Sequence, residues 1–174
     1  MTDRKTIAIV DMDGVLLDLH LDGARLRGTL NALVAEHGLT FEGRGLLTDI
    51  SAMCAQLSER DPEAGTRLRE RLWALIDEEE ARCAPKASLH PSARELLDGL
   101  GEVPVALYTN NHQACALAAL RAVGIDPGRF FAIKARPGAS SIKPAAEPVL
   151  EVLAHPAAAG TQRAFLIGDH VADM

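Results

Sequence analysis

Three apolar runs in this chain each break off at a polar cluster. Thr6 to Val10 (TIAIV) stops at Asp11-Met12-Asp13-Gly14, Val103 to Tyr108 (VPVALY) stops at Thr109-Asn110-Asn111, and Ala164 to Ile167 (AFLI) stops at Gly168-Asp169. A strand buried on both faces reads as a continuous apolar run, and it ends where its carboxyl end meets solvent. A shorter run, Phe130 to Ile133, adds a fourth strand between the second and third of these. Helical patterns fill the intervening chain: Ser92 to Leu100 after a Pro91 start, Gln113 to Val123 after an Asn cap, and Ala145 to Ala154 after Pro144. Strands alternating with helices predict a parallel α/β sheet of Rossmann-like type, whose ligands bind beyond the carboxyl ends of the strands. The polar clusters fall at that edge.

One stretch breaks the alternation. From about residue 19 to 84 the sequence reads as helix only, with Leu26, Leu30, Leu33, Val34 and His37 on one face and Leu68, Leu72, Leu75 and Ile76 on another. We read it as a helical insertion, 19–84, in a core made of 1–18 and 85–174. Gly38 and the Gly43-Arg44-Gly45 segment punctuate it, while Glu78-Glu79-Glu80 and Arg67/Arg69/Arg71 read as solvated helix faces. There is no internal repeat or low-complexity segment.

Composition excludes several classes of function. A chain of 174 residues that is 48% hydrophobic can bury a core. The net charge of -6 is modest and forms no basic stripe, which argues against a nucleic-acid partner. No apolar run approaches the roughly 20 residues needed to span a bilayer. The first residues, MTDRKTIAIVDMDG, place acids directly behind a short apolar run, so no signal peptide and a cytoplasmic location are expected. Cys54, Cys83 and Cys115 are odd in number and lack CxxC spacing, the pattern of reduced, packed thiols. At 3% aromatic residues, a base-stacking or sugar-stacking platform would be hard to assemble.

The strand-end residues suggest a chemistry. Asp11 and Asp13 stand two apart, with Gly14 behind them to allow a sharp turn. Such a pair can divide the labour of phosphoryl transfer, one carboxylate attacking phosphorus while the other protonates the leaving oxygen and later deprotonates water. It can equally hold a divalent cation. Carboxylates this close repel, so an ionised nucleophile needs positive charge nearby. Asp169 and Asp173 add hard oxygen ligands of the kind Mg2+ prefers, Lys143 offers a point charge for phosphoryl oxygens, and Thr109 a hydroxyl donor.

These segments together resemble the motifs of the haloacid dehalogenase-like superfamily. DMDGVLLD is similar to its first motif, YTN to its second, the lysine of IKP to its third and GDHVADM to its fourth, and the helical insertion stands where the superfamily places a type-one cap. The resemblance implies that Asp11 is the nucleophile and Asp13 the general acid and base, with Thr109 and Lys143 holding the phosphoryl group. Asn110 and Gly14 are assigned to substrate binding. Mg2+ would be held by the Asp11 carboxylate, the Asp13 carbonyl and Asp169, with Asp173 a ligand or an outer partner. The dehalogenase branch lacks an acid at the position of Asp13, because halide leaves without a proton, so phosphoryl transfer is favoured over carbon-halogen cleavage.

The expected function is therefore Mg-dependent hydrolysis of a small phosphorylated metabolite. A sugar phosphomutase would use the same residues, but water is the default acceptor for an aspartyl phosphate. A signalling receiver domain fits poorly, because its acid pair and phosphorylated aspartate lie on different strands and no helical insertion follows its first strand. A catalytically silent binding module is the remaining alternative. In relatives the fourth motif is followed by a helix and a final strand, whereas this sequence ends at Met174. The strand at Ala164 to Ile167 is thus expected to form an open edge, at which self-association is possible.

Overall fold

The computed structural model describes residues 5–43, 45–136 and 142–170. Four parallel strands form the main sheet: β1 (Thr6–Val10), β4 (Val105–His112), β5 (Phe130–Arg136) and β6 (Arg163–Ile167), in the order β5-β4-β1-β6. A two-residue antiparallel ribbon joins β2 (Leu17–Asp18) to β3 (Ser88–Leu89). The helices are α1 (Gly23–Ala35), α2 (Leu46–Arg60), α3 (Pro62–Cys83), α4 (Ala93–Leu100), α5 (Gln113–Ala122) and α6 (Glu147–Leu153). The chain divides into two compact units, Met1–His20 with Ala81–Met174, and Leu21–Glu80.

β1 is central because it can be. Ile7, Ala8, Ile9 and Val10 are all buried, and the strand pairs with β4 through Ala8↔Val105 and with β6 through Thr6↔Arg163. Pairing on both edges removes every polar backbone group from solvent competition, and the apolar side chains cover both faces. On one face Ile7, Ile9, Ala106 and Tyr108 pack with Val152 of α6 and Ala158. β6 takes the outer position, and its Phe165 and Leu166 are 55% and 40% exposed.

The second strand differs from its sequence expectation at both ends. It starts after Pro104, which has no N–H to give a ladder, although its carbonyl accepts from the Ala8 N–H at 3.0 Å. It then runs on through Thr109-Asn110-Asn111 to His112, which pairs with Arg136 across an irregularity in register. β5 is likewise longer than expected, ending at Arg136 instead of Ile133. The α5 cap is not an asparagine: the His112 side chain accepts from the Ala114 N–H at 3.1 Å.

The unit Leu21–Glu80 has its own core. Leu26, Leu30, Leu33 and Val34 of α1 pack with Ile50, Met53 and Cys54 of α2 and with Leu68, Leu72 and Ile76 of α3. Each such side chain stabilises by roughly 1.5–3 kcal/mol when fully buried. His37 lies beyond the end of α1 and does not continue its apolar stripe. The expectation of a solvated Glu78-Glu79-Glu80 face holds only for Glu78: Glu79 and Glu80 are buried. Glu79 pins the start of α1, accepting from the Arg25 guanidinium and from the Asp22 N–H at 3.3 Å. Cys54, Cys83 and Cys115 are buried, and none is in a disulfide among the described residues. Among the described residues, no helix is long and apolar enough to cross a membrane.

Candidate active site

The carboxyl ends of β1, β4 and β6 and the segment after β5 meet at one cavity of about 270 Å³. Asp11, Asp13, Thr109, Asn110, Asn111, Lys143, Asp169 and His170 line it. Six of these residues carry chemistry expected from sequence; Asn111 and His170 join them from the same polar clusters. Asp173 lies outside the described residues. Gly14 is not part of this lining and instead borders a neighbouring cleft that Asp169 shares.

Asp11 extends β1, its N–H donating to the Ile167 carbonyl at 2.8 Å. Its Oδ1 accepts from the Met12 N–H at 2.7 Å and lies 2.6 Å from Lys143 Nζ. Lys143 is only 6% exposed, so its ammonium is committed to this carboxylate and to the Tyr108 ring, 5.1 Å from its centroid. A charge buried this deeply is tolerable only when paired. The Met12 N–H and the Lys143 charge both fall on one oxygen of the Asp11 carboxylate.

The lysine is itself held from below. Its backbone N–H donates to Asn110 Oδ1 at 2.8 Å, while the Asn110 carbonyl accepts from Arg136 Nε. Tyr108 donates its hydroxyl to the Ala145 carbonyl at 3.2 Å. Asn110 therefore serves the architecture of the site as well as lining it. Thr109 is 2% exposed and donates its hydroxyl to Asn111 Oδ1 at 2.7 Å, and Asn111 returns a backbone N–H at 3.2 Å.

Asp13 meets different conditions. Burial pushes its carboxyl above the usual carboxylate range, and the charges of Asp18 and Asp169 push the same way. The Leu19 N–H, donating to Oδ1 at 2.8 Å, and nearby His20 oppose the shift without reversing it. The two acids thus sit in different surroundings, Asp11 ion-paired and Asp13 desolvated with its pKa raised.

Gly14 explains how Asp169 comes so close. Its φ is +81°, and a Cβ there would lie 2.2 Å from Asp169 Oδ2. Asp11, Asp13 and Asp169 thereby place three carboxylates at one cavity, against the Lys143 ammonium. Among the described residues, no three His, Cys, Asp or Glu side chains converge closely enough to cage a metal unaided. Few protein oxygens and excess negative charge suit a small, hard cation that keeps several of its waters.

Arg136, the Met12 N–H and the Leu19 N–H were not singled out by sequence. Backbone donors leave no mark in a sequence, and a lone arginine reads as surface until the strand carrying it is seen to reach the site.

No family model matches the chain, and no curated protein matches it. Solved structures do. A protein from Lactobacillus plantarum, provisionally described as a phosphoglycolate phosphatase, superposes with a TM-score of 0.61 at 18% identity, over 98% of this chain and 79% of its own. A provisionally described haloacid dehalogenase-like hydrolase from Bacteroides fragilis gives 0.64 at 18% identity, over 98% and 80%. A haloacid dehalogenase-like family hydrolase from Streptococcus pneumoniae gives 0.55 at 18% identity, over 99% and 79%. The chain has the fold of the haloacid dehalogenase-like hydrolases.

Proposed function

We propose that this chain is a haloacid dehalogenase-like phosphatase, which hydrolyses a small phosphomonoester through an aspartyl phosphate on Asp11. The observation that carries the reading is the buried Lys143 ammonium 2.6 Å from Asp11, with Asp13 in the same cavity and its carboxyl raised by burial. The shared fold supports it.

In the first step an Asp11 carboxylate oxygen attacks phosphorus and the bond to the leaving oxygen breaks, that oxygen taking its proton from Asp13. In the second, water attacks the aspartyl phosphate, Asp13 takes the water proton, and phosphate departs as the Asp11 carboxylate is restored. Lys143 offsets charge on the phosphoryl oxygens, and Thr109 exchanges its Asn111 acceptor for one of them. Asp11, the Asp13 carbonyl and Asp169 would hold Mg2+, with Asp173 as a further partner. When bound, the ion supplies the positive charge that three carboxylates lack. A small phosphorylated metabolite suits a cavity of about 270 Å³, and phosphoglycolate is a sensible first candidate given the L. plantarum neighbour. We place the chain in the cytoplasm, where the thiols of Cys54, Cys83 and Cys115 would stay reduced.

Phosphate release from p-nitrophenyl phosphate tests the reading. The chain should turn over with magnesium and stop in excess chelator, and Asp11→Asn should fall to background; because it also strips the buried Lys143 ammonium of its counter-charge, its thermal midpoint should drop, and circular dichroism at the assay temperature checks that it is still folded. Activity retained by Asp11→Asn would remove the nucleophile and the reading with it.

A further inference from the structure

We propose that His20 and Ser88 are positioning residues for Asp13, a side-chain clasp across the β2–β3 ribbon that keeps the Leu19 N–H on the Asp13 carboxylate. The inference rests on Asp13 as the acid and base, and adds residues that no motif contains.

β2 and β3 have two residues each, paired Leu17↔Leu89 and Asp18↔Ser88. A ribbon this short is marginal in water without further ties. At one end the His90 N–H donates to the Leu16 carbonyl at 3.0 Å. At the other, beyond the last pair, His20 Nε2 lies 2.7 Å from Ser88 Oγ. Leu19 sits between Asp18 and His20 and gives its N–H to Asp13 Oδ1 at 2.8 Å. The Gly14 N–H donates to the Leu17 carbonyl at 2.8 Å, and Asp13 itself bridges to Leu17. The acid is thus attached to β2 on both sides, and β2 is attached to β3 by the clasp.

His20 also stands out by its backbone. It is the non-glycine residue with positive φ among those described, at 54°. Such values are uncommon for side-chain-bearing residues and mark positions that the surroundings over-determine. Two ties do so here, the ring to Ser88 Oγ and the Cys83 thiol to the His20 carbonyl at 3.7 Å. The ring is exposed and absent from the lining of the 270 Å³ cavity, so a direct role on substrate is not indicated. A general acid must be held to within a fraction of an ångström, since displacements near 1 Å can cost about 100-fold.

Two variants and two measurements decide the matter. His20→Gly removes the ring and relieves the backbone, and Ser88→Ala removes its partner. Each should lower kcat/KM, which reads the phosphorylation step and not the later hydrolysis, about tenfold more for an alkyl phosphate, which needs a protonated leaving group, than for p-nitrophenyl phosphate, which does not. The double variant should be no worse than the worse single one. A merely structural role would depress both substrates alike, and that result overturns the proposal. Amide hydrogen exchange reads the clasp without catalysis: Leu19 should exchange about tenfold faster in either variant while Ile9 is unchanged. Unchanged protection at Leu19 overturns the clasp, whereas faster exchange in a chain inert toward both substrates, wild type included, leaves the clasp standing and removes the phosphatase reading.

Discussion

At position 14 a side chain is excluded twice, by the backbone and by a neighbour. A φ of +81° disfavours any L-residue, by roughly 1–2 kcal/mol, and a Cβ would sit 2.2 Å from Asp169 Oδ2 and 2.6 Å from its Cγ. Gly14→Ala should therefore displace Asp169, lowering turnover about 10- to 100-fold, raising the magnesium concentration needed for half-maximal activity and lowering the thermal midpoint by several degrees. A magnesium titration of activity beside a melting curve checks both effects. Asp11, Asp13, Thr109 and Asp169 could be picked out from sequence because each stands at or just after an apolar run, and parallel strands bring such ends together, while Lys143 lies in the segment that follows the Phe130 to Ile133 run. Asn110 could be named but its work could not: two acceptors on one residue, one for Arg136 and one for the Lys143 N–H, emerge only when three chain segments meet. The raised pKa of Asp13 was equally hidden, being a product of burial.

The junction of α2 and α3 shows how tightly one element can constrain another. Asp61 caps α3 by accepting from the Ala64 N–H at 2.9 Å, and Pro62 follows at a position where no N–H is needed. Just inside, Gly65 is packed so closely that a Cβ would lie 2.8 Å from both the N and Cα of Ser58. Alanine in place of a helical glycine ordinarily gains about 1 kcal/mol, whereas overpacking against backbone costs about 1–3 kcal/mol. Because backbone cannot swing aside, the second effect should win: Gly65→Ala is expected to lower the urea midpoint, with the m-value unchanged. Element ends were harder to read than element types. Patterns locate Ser, Asp and Asn caps, but here His112 and His155 accept the N–H two residues on through Nδ1, a use of imidazole that composition does not flag. The charge run Glu78-Glu79-Glu80 likewise read as solvated, since the ion-pair partner of Glu79, Arg25, is far away in sequence.

For the whole molecule, alternating strands and helices made the α/β class legible, whereas the order β5-β4-β1-β6 was not, because periodicity says nothing about which strands are neighbours. That order leaves β6 with one edge unpaired among the described residues and with Phe165 and Leu166 on opposite faces, each exposed. Such an edge is a template for another strand. The mass of this chain in solution should accordingly rise with concentration, and Phe165→Lys should hold it at the monomer value in sedimentation or light scattering; a wild-type chain monomeric throughout would count against the edge. Central placement of β1 has a consequence for synthesis. Asp11 follows a strand that is made well before its partners, since β1 pairs with Val105 on one side and Arg163 on the other. At about 5–20 residues per second, it must wait roughly 8–30 s for its last partner to be made. From about the middle of that interval Leu21–Glu80, whose contacts are contiguous in sequence, has all its residues available, while TIAIV remains an apolar segment without its full sheet. Nascent-chain aggregation and chaperone capture should therefore concentrate on the first ten residues.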